Sequence, residues 1–351
     1  MSLRVGIVGI GFMGWIHWLA WQQQSDAKVT AIVSRSKEKR AGDWTSIQGN
    51  FGPPGEQVDL SGVQVFETVE EMLASDCVDL VDICLPPSFH RSTIEQAANA
   101  NKHVFCEKPL CLNLQDCDAA AKSCVENGVK LFVGQVLPFF LEFKFAAEKI
   151  RSGEYGKLIG GHFKRVVSDP SASWIPDFFD REVVGGPLLD LHVHDAHLIR
   201  WLFGMPKTVY SGGRLRDGVV EYCNSIFTFE DPSVTVAAHS GTISQQGRPF
   251  NHAFEIHLER ATICFEFAAY TDRPETLELK ILDENGDVIR PEDLGDPDPV
   301  HAFTREIEEL MAAIEGKPGS NVLSGDIARD AILICESVEQ SIVQKSVVAL
   351  S

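Results

Sequence analysis

Leu3-Arg4-Val5-Gly6-Ile7-Val8-Gly9-Ile10-Gly11-Phe12-Met13-Gly14 is the stretch that decides the fold. Its first six residues are mostly apolar and predict a strand, the glycines follow at once, and a helix-like segment continues from Trp15 to Gln24. The first glycine permits a tight turn, the second lets the backbone approach a pyrophosphate, and the third lets helix and strand pack closely. The stretch therefore predicts a dinucleotide site at a helix N-terminus, which attracts the anion. The candidate cofactor residues here are Gly9, Gly11, Phe12, Met13 and Gly14.

The next predicted strand, Val29 to Val33, ends at a position that selects the cofactor. An enzyme for NAD carries an acidic residue there for the ribose hydroxyls, and this sequence has Ser34 instead. Arg35 and Lys39 follow and offer cations for a 2′-phosphate. These residues favour NADP(H). NAD(H) stays possible, because Arg35 also suits stacking on adenine and both cations also fit a solvated helix start.

Strands and helices alternate over the first 130 residues or so. Further strands are predicted over 78–85, 103–106 and 129–133, and a helix over 114–126. Residues 42–62 are rich in Gly, Pro, Ser and Asp and predict a loop or an irregular helix. This alternation predicts a doubly wound parallel sheet with right-handed crossovers.

Phe105-Cys106-Glu107-Lys108-Pro109 places a lysine at the end of a predicted buried strand. In open α/β sheets, ligands bind outside the carboxyl ends of the strands, so Lys108 is expected to face a crevice. Pro109 restricts the backbone of Lys108 and permits a cis peptide bond. The tripeptide alone favours an ordinary surface lysine before a proline, and only the other motifs of the chain change this interpretation.

The organisation changes after Gln135. A helix is predicted over 138–151, and short runs with strand character follow, several of which alternate apolar and polar residues. Two helices, over 302–315 and 325–344, close the sequence. We therefore predict an α/β plus α+β protein, with a Rossmann domain over 1–134 and a second domain over 135–351 that has a large, mostly antiparallel open sheet covered by helices on one face. The predicted strands of the second domain are 158–167, 209–214, 221–229, 234–239, 252–258, 262–267 and 278–281.

The segment from Gly185 to Leu202 stands apart in the second half. Its apolar residues recur at helical spacing, and Asp190 and His194 are four residues apart, which places them on one helical face. The histidines lack the Glu and outer ligand of a zinc hydrolase, so no metal is predicted. Taken alone, the segment is also compatible with a structural polar patch that holds a helix to a sheet.

Composition limits the class of protein. The chain has 351 residues, of which 44% are hydrophobic, enough for two sizeable cores. A net charge of -19 opposes nucleic-acid binding, which needs a positive surface. No apolar run reaches membrane-spanning length and no signal peptide is evident, so no membrane partner is expected. The nine cysteines contain no Cys-x-x-Cys pair, which is typical of a cytoplasmic protein in a reducing compartment.

The glycine loop, Glu107-Lys108-Pro109 and the pattern Gly-Gly-x-x-x-Asp-x-x-x-His, in this order, resemble the Gfo/Idh/MocA oxidoreductase family of glucose–fructose oxidoreductase and inositol dehydrogenase. The resemblance covers essentially the whole chain. It implies that Lys108, Asp190 and His194 form a catalytic group beside the nicotinamide. The sequence departs from the family at His192, where members often have Gly. The resemblance also implies that four residues lie along or near the cofactor. Those four residues are Leu85, Pro86, His90 and Glu107.

The expected chemistry is transfer of a hydride between a nicotinamide cofactor and a hydroxyl or carbonyl of a sugar, cyclitol or sugar derivative. The alternatives are a glycosidase that uses NAD for transient oxidation, and a non-catalytic dinucleotide sensor. Retention of Lys108, Asp190 and His194 together argues against the sensor. A homodimer or homotetramer is expected through the open face of the second sheet.

Overall fold

The computed structural model describes residues 2–171, 175–317, 319 and 321–350, which form two compact units. Unit 1 comprises residues 1–140 and 296–328, and unit 2 comprises residues 141–295 and 329–351. The elements in chain order are β1 Leu3–Val8, α1 Phe12–Gln22, β2 Ala27–Val33, α2 Lys37–Arg40, β3 Gln64–Phe66, α3 Val69–Ala74, β4 Leu80–Ile83, α4 His90–Asn99, β5 His103–Glu107, α5 Leu114–Glu126, β6 Leu131–Gly134, α6 Leu141–Ser152, β7 Leu158–Ser168, α7 Val193–Phe203, β8 Thr208–Arg216, β9 Val219–Thr228, β10 Thr235–Ile243, β11 Phe250–Leu258, β12 Ala261–Ala269, β13 Pro274–Asp283, β14 Val288–Ile289, α8 Pro299–Ile314, α9 Gly325–Gln344 and β15 Val348–Ala349.

Unit 1 contains the predicted doubly wound sheet. Its six strands are parallel and lie in the order β3-β2-β1-β4-β5-β6. The strand order reverses between β1 and β4, which is where ligands bind in folds of this class. The glycine loop follows β1 directly, so it lies at this switch point.

Unit 1 also takes in a segment from late in the chain, which the expected boundary between residues 134 and 135 does not include. Helix α8 packs on α1, and the ring of Phe303 lies 5.7 Å from that of Phe51. Phe303 and Ile307 are buried on this face. The strong apolar stripe of α8 predicts an amphipathic helix, but it does not say which sheet the helix covers.

In unit 1, two short elements, β3 and α3, lie outside the strands and helices predicted from the sequence. β3 has three residues, and none of them is buried. α3 begins at Thr68, whose side chain and that of Glu71 form a reciprocal capping box. Such short, polar elements carry too little periodicity for a sequence pattern to reveal them.

Unit 2 is built on a nine-stranded sheet in the order β14-β13-β12-β11-β7-β10-β9-β8-β15. Neighbouring strands are antiparallel except β7 and β10, which are parallel, so the expected mostly antiparallel sheet is confirmed. On one face, Phe163 and Phe254 are buried, and Phe143 of α6 packs on Phe254.

The opposite face of this sheet is mixed in character. Cross-strand neighbours His162, Glu255 and Cys264 are polar and partly exposed, whereas Tyr210 and Ile226 are exposed large hydrophobic residues. The apolar patches on this face are therefore interrupted by charged side chains. Among the described residues, no helix is both long enough and apolar enough to cross a membrane.

Candidate active site

The glycine loop has the geometry that a dinucleotide needs. Gly9 has a φ of 96°, and a Cβ built on Gly14 would lie 2.1 Å from the Gly9 carbonyl oxygen, so neither position suits a side chain. A Cβ built on Gly11 meets no described atom within 4 Å. Gly11 is also the N-cap of α1, and the first turn of that helix has no side-chain cap and no acidic residue. The backbone N–H groups of this helix start are suited to bind a pyrophosphate.

The end of β2 carries Ser34 in place of an acidic residue, and the two cations Arg35 and Lys39 follow it. Ser34 is buried, and its Oγ accepts a hydrogen bond from the N–H of Ser36, which caps α2. Lys39 Nζ donates to the carbonyl oxygen of Ile10 at 2.5 Å, so this cation lies against the glycine loop. Partial burial lowers the pKa of Lys39. Arg35 is exposed.

Lys108 directly follows β5 at its carboxyl end, as predicted, and the Lys108–Pro109 bond is cis. The backbone N–H of Lys108 donates to Glu107 Oε2 at 3.0 Å. Glu107 is buried, whereas Lys108 is half-buried. The carboxylate of Glu107 is thus an internal support, and the lysine is the member of the pair that reaches the surface of unit 1.

His90 is fully buried and bridges two loops of unit 1. Its Nδ1 lies 2.8 Å from the carbonyl oxygen of Pro109, and its Nε2 lies 2.8 Å from that of Leu85. Burial lowers the pKa of His90, and the two carbonyls partly oppose this effect. We assign to His90 the joining of the loop after β4 to the loop after β5. The cofactor contact expected for His90, Leu85 and Pro86 stays a prediction.

Asp190 and His194 lie in a helical segment with a local irregularity. The chain forms a π-helix over Leu188–His192 and continues as α7, so the regular α-helical spacing expected between the two residues does not hold. π-turns of this kind are frequent at functional sites. Asp190 and His194 are only half-buried, whereas every residue between them is buried.

Two other polar residues of this segment hold it to the sheet. Arg165 of β7 donates two hydrogen bonds to the Asp195 carboxylate, both at 3.1 Å. His192 is fully buried, its Nδ1 lies 3.0 Å from Ser240 Oγ, and its ring stacks on Phe227. The histidine at position 192, where family members often have Gly, is therefore a buried side chain that holds this segment to the sheet. His192 and Asp195 thus anchor this segment, and the catalytic role expected for Asp190 and His194 stays a prediction.

Sequence reasoning missed a polar cluster inside unit 1. His17 of α1 lies between Asp82 of β4 and Glu107, and Trp21 Nε1 also donates to Asp82 Oδ2 at 2.7 Å. Asp82, inside a strand whose four residues are all buried, was a signal that a partner must exist, because a buried carboxylate requires one.

Two groups of side chains within the described residues bring potential metal ligands together. His17, Asp82 and Cys84 form one, but both ring nitrogens of His17 are already hydrogen-bonded to carboxylates. The other lies on the open face of the second sheet, where the Glu255 carboxylate is 3.8 Å from His162 Nε2 and 3.6 Å from His257 Nε2. That no metal is needed stays a prediction.

Comparison with known proteins gives the family. Residues 3–135 match the family described as "Oxidoreductase family, NAD-binding Rossmann fold", and residues 143–264 match the "GFO/IDH/MocA C-terminal domain".

Among related sequences, the scyllo-inositol 2-dehydrogenase (NADP(+)) of Bacillus subtilis is 28% identical over 89% of this chain and 88% of its own. The 2,7-anhydro-N-acetylneuraminate hydratase of Escherichia coli is 27% identical over 67% of this chain. For that hydratase and two further relatives, the match spans 56% to 60% of their own length.

Among solved structures, the aldose-aldose oxidoreductase of Caulobacter crescentus aligns over 100% of both chains with a TM-score of 0.80 at 20% identity, which supports the fold. The two family matches together cover both parts of the chain, and they confirm the expected oxidoreductase family with its NAD-binding Rossmann fold. The chain belongs to the Gfo/Idh/MocA family of oxidoreductases.

Proposed function

We propose that the protein is a dehydrogenase that oxidises a secondary hydroxyl of a sugar, cyclitol or sugar derivative, with Lys108, Asp190 and His194 as its catalytic residues. The observation that carries the proposal is a difference in burial among the polar residues of the π-helix and α7. His192 and Asp195 are buried and anchor the segment, whereas Asp190 and His194 are half-buried, so each keeps some exposed surface that a ligand can contact.

The chemistry follows from the side chains. Oxidation of a secondary alcohol removes a hydroxyl proton while the bound nicotinamide accepts the hydride. An imidazole titrates near neutral pH, so His194 is suited to take the proton. Asp190 orients the base or the substrate. Lys108 supplies positive charge that stabilises the developing alkoxide.

NADP(H) is the favoured cofactor, and NAD(H) remains the alternative. Ser34 provides no carboxylate to repel a 2′-phosphate, and Arg35 is exposed and able to pair with one. Lys39 lies against the glycine loop through its bond to Ile10. The preference rests on these residues alone, because one Bacillus subtilis relative is named with NADP(+) and another with NAD(+).

A redox-neutral reaction is the second candidate, because the Escherichia coli relative is named as a hydratase. Such an enzyme, like a glycosidase that oxidises its substrate transiently, would return the hydride to the substrate within each turnover. The same catalytic residues and the same cofactor would serve both reactions. The two functions therefore differ in the fate of the reduced cofactor.

The deciding experiment incubates the protein with NADP or NAD and a panel of inositols, aldoses and anhydro-sugars. Both reduced cofactor and product are quantified. A dehydrogenase forms one equivalent of reduced cofactor for each oxidised product. Product that accumulates in excess of reduced cofactor identifies the redox-neutral reaction, and the absence of turnover with every compound of the panel contradicts the proposal. A Lys108→Ala variant, whose turnover is expected to fall but to remain measurable, serves as the low-activity control.

We also propose a homodimer or homotetramer in the cytoplasm. The helices of unit 2 cover one face of its nine-stranded sheet, and the other face exposes Tyr210 and Ile226, which suits contact with a second copy. All nine cysteines are free, as expected in a reducing compartment. Light scattering at micromolar concentration tests the assembly, and a monomeric mass contradicts it.

A further inference from the structure

His17, in the second turn of α1, lies between two carboxylates. Its Nδ1 is 2.9 Å from Asp82 Oδ2, and its Nε2 is 3.0 Å from Glu107 Oε1. The side chains of His17 and Asp82 are fully buried, and that of Glu107 is 9% exposed. An ionised carboxylate only accepts hydrogen bonds, so each ring nitrogen that faces one must carry a proton. With both carboxylates ionised, this geometry favours an imidazolium at His17.

The charges of this cluster depend on one another. Burial by itself lowers the pKa of His17, but the charge of Asp82 and its hydrogen bond outweigh burial and raise that pKa well above the usual value. Glu306 of α8 is fully buried nearby, where burial and the charge of Glu107 raise its pKa and favour the neutral acid. One cation thus compensates two buried anions. Removal of His17 leaves two carboxylates facing each other without it.

The cluster is connected to the candidate catalytic lysine by a single residue. Glu107 binds His17 through Oε1, and its Oε2 accepts the backbone N–H of Lys108 at 3.0 Å. His17 belongs to the helix whose N-terminus faces the glycine loop. A chain of hydrogen bonds therefore runs from the cofactor helix to the backbone of Lys108, entirely within unit 1.

We propose that His17 is a positioning residue, which holds the Glu107 carboxylate in one orientation and thereby sets the backbone from which the Lys108 ammonium reaches the reacting oxygen. This inference rests on the proposed function, because it concerns the lysine assigned to charge stabilisation there. His17 itself does not contact substrate. Its effect on turnover must pass through Lys108.

His17→Gln removes the imidazolium and keeps a polar side chain. An amide presents its oxygen on one side, so it cannot donate hydrogen bonds to both carboxylates. We expect turnover per folded protein to fall about 10–10²-fold, since a misplaced catalytic group costs up to ~10²-fold, and cofactor affinity to stay within about threefold. Trp15→Phe is the matched control: Trp15 is buried in the same helix and donates to the Pro53 carbonyl, outside the cluster. The control is expected to keep wild-type turnover.

A double-mutant cycle with Lys108→Ala separates positioning from a general structural effect. If His17 acts through Lys108, His17→Gln should cost less than about twofold in turnover when Lys108 is already absent. An equal loss on both backgrounds overturns the proposal, as does near wild-type turnover of the single variant. If His17→Gln does not fold, Glu107→Gln breaks the same connection at its other end and enters the same cycle.

A second readout does not depend on activity. Acetic anhydride labelling followed by peptide mass spectrometry gives the reactivity of Lys108 relative to Lys122, whose side chain is 73% exposed. His17→Gln should change this ratio more than threefold, and Trp15→Phe should not. An unchanged ratio in His17→Gln overturns the positioning role. If the wild-type protein oxidises nothing in the panel, the proposed function has failed, while the labelling result still decides the role of His17.

Discussion

His192 should make the protein sensitive to acid, and the size of the effect follows from its burial. The imidazole is fully enclosed, bonded to Ser240 Oγ and stacked on Phe227. Burial lowers the pKa of His192 to about 4. In the unfolded chain, the same side chain titrates near 6.5. Folding therefore requires His192 to be neutral.

The sign and size of the change in the free energy of unfolding follow from the difference in proton binding between the folded and unfolded chains. Below about pH 6.5 the unfolded chain binds a proton that the folded chain does not, so the contribution is fully present above that pH and is lost as the pH falls toward 4. The difference in proton binding lowers the free energy of unfolding by about 2 kcal/mol at about pH 5 and about 3 kcal/mol at about pH 4.

The assay compares wild type with His192→Gln in urea unfolding at a series of pH values between about 4 and 7. Gln is polar and does not titrate, so the variant should lose less stability than wild type on acidification, by about the stated amounts. His301→Gln, at a partly exposed position of α8, is the control. Parallel stability curves for wild type and His192→Gln would refute the reasoning, because they would mean that His192 takes up no proton on unfolding.

Three further predictions concern the cofactor and the base. Arg35→Ala should reduce the preference for NADP(H) over NAD(H) about 10-fold in calorimetric titrations, since it removes a cation for the 2′-phosphate; wild-type protein that binds NAD at least as tightly as NADP would contradict this. His194→Ala should slow turnover by about 10²–10⁴-fold and abolish the rise of activity with pH, and an unchanged pH profile at near wild-type turnover would remove His194 from the mechanism. Gly14→Ala should lower the melting temperature, because its Cβ would lie 2.1 Å from the Gly9 carbonyl oxygen, whereas Gly11→Ala should keep it and weaken dinucleotide binding; equal melting temperatures would count against this assignment.

The sequence by itself determined the elements that depend on local chemistry. The glycine loop needs only a strand, three glycines and a helix in succession, and β5 with Lys108 at its end is visible as an apolar run before a proline. The predicted helix over 114–126 is α5 with the same bounds, because Asn113 caps it and Asn127-Gly128 ends it. Hydrophobic periodicity and helix capping depend on residues that are close together in the chain, so the sequence alone predicts the elements that they define.

Which histidine in the 192–194 segment enters the core depends on the tertiary structure. Both residues lie in the same helical pattern, yet His192 enters the core and His194 stays half-buried. The π-helix sets this orientation, and hydrogen-bond register is not encoded in hydrophobic spacing.

The same limit explains why the buried cluster was missed. His17 is 65 residues from Asp82 and 90 from Glu107 along the chain, and each has an ordinary sequence neighbourhood. Segment 296–328, likewise, joins unit 1 through contacts between distant residues: α8 packs on α1, and the Val133 N–H donates to the Leu323 carbonyl oxygen. Such contacts arise when distant elements pack. The partner of a buried charge can therefore be identified only once the fold has brought the opposite charge beside it.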